Sequence, residues 1–229
     1  MVESVHPTLR QLTVAAFCLV VALGTAFVAA NVTRNERIFS LSPPVKKPES
    51  QSATSATIPE ARRVDLHRTF FTAWAALLLV TPALCLFPFH RASSKAAGYW
   101  LAFWTAGFLA FVVHLYWAIF VIFEGDWSQI STSSRVSAPV IDIVFAVWWG
   151  VDVLLAWLVP HESRLVRLER TFIYMLAAAL FVAASAIEGE IPLSQTIGFI
   201  SGGTIVLSLL VWFTRRLRDG RLSAATPGT

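Results

Sequence analysis

Charge is scarce in this sequence: Asp, Glu, Lys and Arg make up 14% of its 229 residues, against roughly 25% in an ordinary soluble domain. That leaves too little polar surface for a water-soluble globule. Cysteine is scarcer still. Cys18 and Cys85 each stand alone in an apolar stretch, with no CxxC or Cys/His spacing. This excludes a disulfide scaffold or a zinc motif and leaves both thiols as small apolar side chains. Also missing are a phosphate-cradling Gly-rich loop, an H-E-x-x-H pair, a G-x-S-x-G elbow and an aspartate-rich diphosphate site. No catalytic residue, metal ligand or cofactor is indicated, and whether the chain is an enzyme stays open.

Apolar residues are what the chain has in abundance, at 56%, with a mean hydropathy of +0.65. Six stretches approach the ~20 residues needed to cross a bilayer: Gln11–Asn31, Thr69–Phe89, Tyr99–Phe123, Pro139–Val159, Thr171–Ile187 and Gln195–Phe213. Backbone polar groups in hydrocarbon must be paired within the segment, so each stretch is expected to be a helix. The fold class is all-α, an integral membrane helical bundle with about six transmembrane helices. Pro82 is expected to kink the second span, Pro139 sits where a first turn tolerates proline, and Pro160 reads as a stop.

The organisation follows from composition. Residues 1–31 form a first transmembrane helix or signal anchor; residues 32–68 a linker, expected outside the cytoplasm; residues 69–213 a five-helix bundle; residues 214–229 a basic, then disordered, cytoplasmic tail. The linker's middle, Ser40–Pro59, is rich in Ser, Thr and Pro and cannot bury enough surface to offset ordering entropy. Arg10, the apolar run and the small residues Val28-Ala29-Ala30 also fit a cleavable signal peptide, which would leave five helices. No internal repeat is evident.

Basic residues set the orientation. Arg10, Arg91, Lys95, Arg164, Arg167, Arg170, Arg215, Arg216, Arg218 and Arg221 fall on one side if the chain starts in the cytoplasm. Arg135 falls on the other, and Arg62, Arg63 and Arg68 argue against the assignment. Both termini are therefore expected in the cytoplasm, in a plasma (inner) membrane. His161 and Glu162, beside Arg164, Arg167 and Arg170, read as a basic loop against lipid head groups. The same explanation covers the net charge of +4, so nucleic acid is not an expected partner. The bilayer is, together with other membrane subunits.

Ionisable residues within spans are costly and mark sites by default. His114, Asp142 and Asp152 qualify as candidates for a proton relay or ligand site. His114 lies roughly 22 Å, Asp142 roughly 25 Å and Asp152 roughly 10 Å from the cytoplasmic ends of their helices. The first two match in depth, so a His114–Asp142 pair is allowed. Asp142 and Asp152 lie about 80° apart around one helix. Each has a bland alternative: a helix-gluing hydrogen bond for His114 and a helix-capping acid for Asp142. For Asp152 the bland alternative is a helix-pairing role.

Trp100, Trp104, Trp127 and Trp157 fall near span boundaries, where aromatic belts are expected. Gly198-Phe-Ile-Ser-Gly202, with Gly203, offers a small-residue helix-packing face. The sequence reads first as a non-catalytic accessory or scaffold subunit of a membrane complex. The alternatives are a proton-coupled small-solute transporter using Asp152, Asp142 and His114, and a pigment- or haem-binding protein or enzyme centred on His114.

Overall fold

Capping residues set where several helices begin. The computed structural model describes residues 6–39, 60–132, 139–159 and 163–225. Helix α1, Leu9–Val32, opens on a capping box in which Thr8 and Gln11 satisfy each other's backbone N–H groups. Ser93 caps α3, Ser94–Tyr116, by accepting from Ala96 N–H, and Ser163 caps α6, Arg164–Ala186, by accepting from Val166 N–H. These side chains take up N–H groups that have no partner within the helix. Between them run α2, Glu60–Leu86, the short α4, Trp127–Thr132, and α5, Pro139–Leu158; α7, Pro192–Ala225, closes the order. A 3-10 turn, Phe87–Phe89, follows α2, and a π-helical turn, Trp117–Ile122, extends α3. No strand occurs among the described residues.

Among the described residues, five helices are long and apolar enough to cross a membrane: Leu9–Val32, Arg62–Phe89, Ser94–Ile122, Val140–Leu158 and Pro192–Arg218. The chain is an all-α, multi-pass membrane protein. The remaining expected span, Thr171–Ile187, lies in α6, whose 23 residues reach about 35 Å, longer than the ~30 Å hydrocarbon core. Its length suffices, and its first two turns carry Arg164, Arg167, Glu169 and Arg170; it is not one of the five. Other boundaries also differ from expectation. The span expected from Thr69 begins as helix at Glu60, and the basic stretch after Phe213 continues α7 to Ala225. α2 runs through Pro82 as one helix. The linker centre Ser40–Pro59, Arg135, Pro160, His161, Glu162 and the last tail residues 226–229 lie outside the described residues.

Close helix contacts use glycine where a side chain would not fit. A Cβ on Gly107 of α3 would stand 3.2 Å from the Val80 Cα of α2, so these helices meet nearly backbone to backbone. On α7, a Cβ on Gly198 would come within 2.5 Å of Ala186 N, and one on Gly202 within 3.0 Å of Val182 Cγ1. The small-residue face therefore packs against α6 within the chain, while Gly203 points into open space.

The two ends of the bundle differ in chemistry. At one end Gln11 donates to Lys95 O at 3.0 Å, His6 stacks on Trp157 and Arg215 lies over Phe89. Exposed Arg10, Arg91, Lys95, Arg164, Arg167 and Arg216 gather there. At the opposite end the chain after α1 folds back, and Phe39 stacks on Phe70 with ring centroids 4.0 Å apart. Phe39, Leu66, Trp74 and Ile122 form a small buried cluster of their own. The three arginines that disturbed the charge count are tied down locally there. Arg68 pairs with Asp65 at 2.9 Å, Arg62 donates to Ile122 O and Arg63 to Asn35 O.

Candidate functional site

The main apolar core runs through α2, α3, α5 and α6 and is dense in aromatic rings. At the level of Asp152 it contains a polar centre. Asp152 projects from α5 about 9 Å from the Leu158 end, at the helical rise. Arg170 projects from α6 about 9 Å from the Arg164 end, so antiparallel helices bring the two to the same depth. Arg170 Nε donates to Asp152 Oδ1 at 2.9 Å, and Trp104 Nε1 of α3 donates to Asp152 Oδ2 at 2.7 Å. Both carboxylate oxygens are thus engaged, by side chains from two different helices.

Rings wall this centre. Trp104 lies between Tyr174, with centroids 4.1 Å apart, and Trp149, at 4.7 Å. Phe87 stacks on the other side of Tyr174 at 3.8 Å, and the Arg170 guanidinium sits 5.1 Å from the Trp100 ring centroid. Asp152, Trp104 and Trp149 are all 0% exposed. A low-dielectric surround strengthens each hydrogen bond to the carboxylate and makes an unmatched charge expensive. One turn earlier on α5, Trp148 Nε1 donates to Glu169 Oε1. Two rungs therefore join α5 to α6: Trp148–Glu169 and Asp152–Arg170.

The three expected candidates do not converge. His114, partly buried on α3, puts Nδ1 2.9 Å from the Thr69 carbonyl of α2. An imidazole N–H donates there, tying α2 to α3. Asp142 lies in the first turn of α5, with Glu188 as its acidic neighbour. No hydrogen bond joins it to His114 among the described residues. Asp152 stands alone of the three in the aromatic core.

The chain matches no family model, no curated protein and no solved structure. Among the described residues, no group of three or more His, Cys, Asp or Glu is placed to hold a metal ion.

Sequence reasoning missed Arg170, Trp104 and Glu169. Arg170 reads as part of the basic loop because the apolar stretch begins only at Thr171, and Glu169 carries no signal of its own in the sequence. Ser163, a capping residue type just ahead of Arg164, is the signal that would have started the helix earlier. Trp104 was expected in a boundary belt, and its burial is a correction. Nearly three turns inside α3, it faces α5 and supplies the indole N–H that a buried acid requires.

Proposed function

We propose that this chain is a non-catalytic structural subunit of a membrane complex, crossing the bilayer six times with both termini in the cytoplasm. The observation that carries the reading is the complete engagement of Asp152. Its two oxygens accept from Arg170 and Trp104 inside a wall of rings. A solute-coupled carboxylate needs access to water, whereas this one is fully buried and serves as a tie between α3, α5 and α6. His114 is used in the same way between α2 and α3.

The sixth crossing, α6, becomes energetically reasonable through the same contact. An arginine at the centre of a lone helix costs about 2.5–3.5 kcal/mol; Arg170 lies nearer one end of α6, and pairing with Asp152 offsets the smaller cost there. The gathering of Arg10, Arg91, Lys95, Arg164 and Arg167 at one end supports a cytoplasmic location for that end. Partner subunits have broad apolar faces to meet. Val144, Val147 and Leu154 on α5 and Phe199, Ile200 and Leu207 on α7 are all exposed.

Native mass spectrometry after mild detergent extraction from native membranes tests this. The expected result is a defined heteromeric complex whose mass exceeds any multiple of this chain, retained in the D152N variant only to the extent that the fold is retained. Recovery of the chain purely as a monomer or homo-oligomer would overturn the reading. So would a solute flux in proteoliposomes that D152N abolishes without loss of fold.

A further inference from the structure

The geometry points to a proton held on Glu169 Oε2 and shared with Asp152, making the two rungs between α5 and α6 a proton-binding site. Hydrogen-bond accounting carries the inference. Asp152 uses both oxygens as acceptors, toward Arg170 and Trp104, so it is the ionised member. Glu169 uses Oε1 as an acceptor for the Trp148 indole N–H. Its other oxygen, Oε2, is buried and receives no donor, although the Glu169 carboxyl lies within hydrogen-bonding reach of Asp152.

Glu169 is only partly buried, but its Oε2 is shielded, and two carboxylates that face each other there cannot both be acceptors without leaving an oxygen unsatisfied. One proton on Oε2 removes the conflict. The O–H then donates to Asp152, no bond elsewhere changes, and the carboxyl pair carries a single negative charge opposite the Arg170 guanidinium. Like-charge carboxyl pairs in confined sites commonly resolve in this way.

A second observation lies in the same corner. Tyr174 is 4% exposed and its hydroxyl is buried without a hydrogen-bond partner, while its ring stacks on Trp104 and it interacts with both Asp152 and Arg170. A neutral phenol adds a donor but no charge. Among the described residues, the titratable and charged groups facing the pair are Asp152 from α5 and Glu169, Arg170 and Tyr174 from α6. Trp104 is the contribution of α3, and His90, 5.1 Å from Trp100 between ring centroids, is the next ionisable group outward. The site stands apart from the proposed structural role, since a proton can be held whether or not the chain has partner subunits.

Infrared spectroscopy on the full chain in lipid nanodiscs, with the glutamate carboxyls carbon-13 labelled, tests the assignment at neutral pH. The expected spectrum contains one labelled protonated-carboxyl C=O band that shifts in heavy water. That band should vanish in E169Q, whose amide supplies the missing donor and keeps the helices paired. It should also vanish in D152N, which removes the anionic acceptor. A wild-type spectrum without the band overturns the proposal regardless of how either variant folds. A band that survives in E169Q overturns it as well.

Discussion

Asp152 and Arg170 meet at 2.9 Å in the aromatic core, both almost fully shielded from solvent. Removing Arg170 takes from the buried Asp152 carboxylate its 2.9 Å ion-pair partner, and removing Asp152 takes from the Arg170 guanidinium its nearest carboxylate, in a medium that solvates neither well. Arg170→Ala and Asp152→Ala are each expected to destabilise the chain by about 3–5 kcal/mol. The double substitution Asp152→Ala with Arg170→Ala should cost less than the sum of the two single changes. Thermal unfolding in detergent, followed by tryptophan fluorescence, reads all of these. Additive effects would show that the pair is not coupled.

The glycines of α7 make a sharper comparison, because they share one helix and differ only in what they face. Gly198→Ala drives a methyl group into the Ala186 backbone and should cost about 1–3 kcal/mol. Gly203→Ala meets nothing within 4 Å and should be neutral or stabilising by up to about 1 kcal/mol. Midpoints measured side by side decide this, and equal effects would place the α6–α7 contact elsewhere.

His114 is expected to be a modest tie. His114→Phe removes the bond to the Thr69 carbonyl while keeping a ring, so the loss should be near the ~0.6 kcal/mol average for hydrogen bonds between membrane helices. Purified protein with a visible absorption band that His114→Phe abolishes would instead assign the imidazole to a pigment.

At the connection ahead of α4, the Gln129 side-chain amide, with the Gln129 and Ser128 backbone N–H groups, holds the Asp126 carboxyl below the usual carboxylate range. A depressed value in the folded chain means that the stabilisation is present above the ordinary carboxylate pKa and disappears as pH falls through the lower, folded value. The neighbouring Trp127 should therefore report a local transition in acid, well below neutral pH, that is absent in D126N. A Trp127 signal unchanged through the acid range would show that the turn does not depend on that charge.

Apolar length makes most of the bundle legible in the sequence, and the spans ending near Phe89, Phe123 and Val159 fall close to observed helix ends. Charge at helix starts obscured the rest. Glu60-Ala-Arg-Arg-Val-Asp-Leu-His-Arg68 reads as linker because it is polar, although Glu, Ala, Arg and Leu are good helix formers. The same habit hid Glu169 and Arg170. Matching depths for His114 and Asp142 suggested a contact that does not form, because rise along a helix fixes height and says nothing about which neighbour lies across the gap. Asp152 could be singled out from its cost in lipid, but its partners sit on α3 and α6, and no spacing along one chain reports a meeting of three helices.

The π-helical turn at Trp117–Ile122 sets the angular phase of everything beyond it. Each extra residue in a helical turn swings later side chains by about 100°. Here that swing buries Ile122 beside Trp74 and aims its carbonyl at Arg62, 3.2 Å away. Loss of a single residue from this turn would swivel Ile122 toward the acyl chains and leave Arg62 without that acceptor. The folded-back arm that carries Phe39 would lose one wall of its seat.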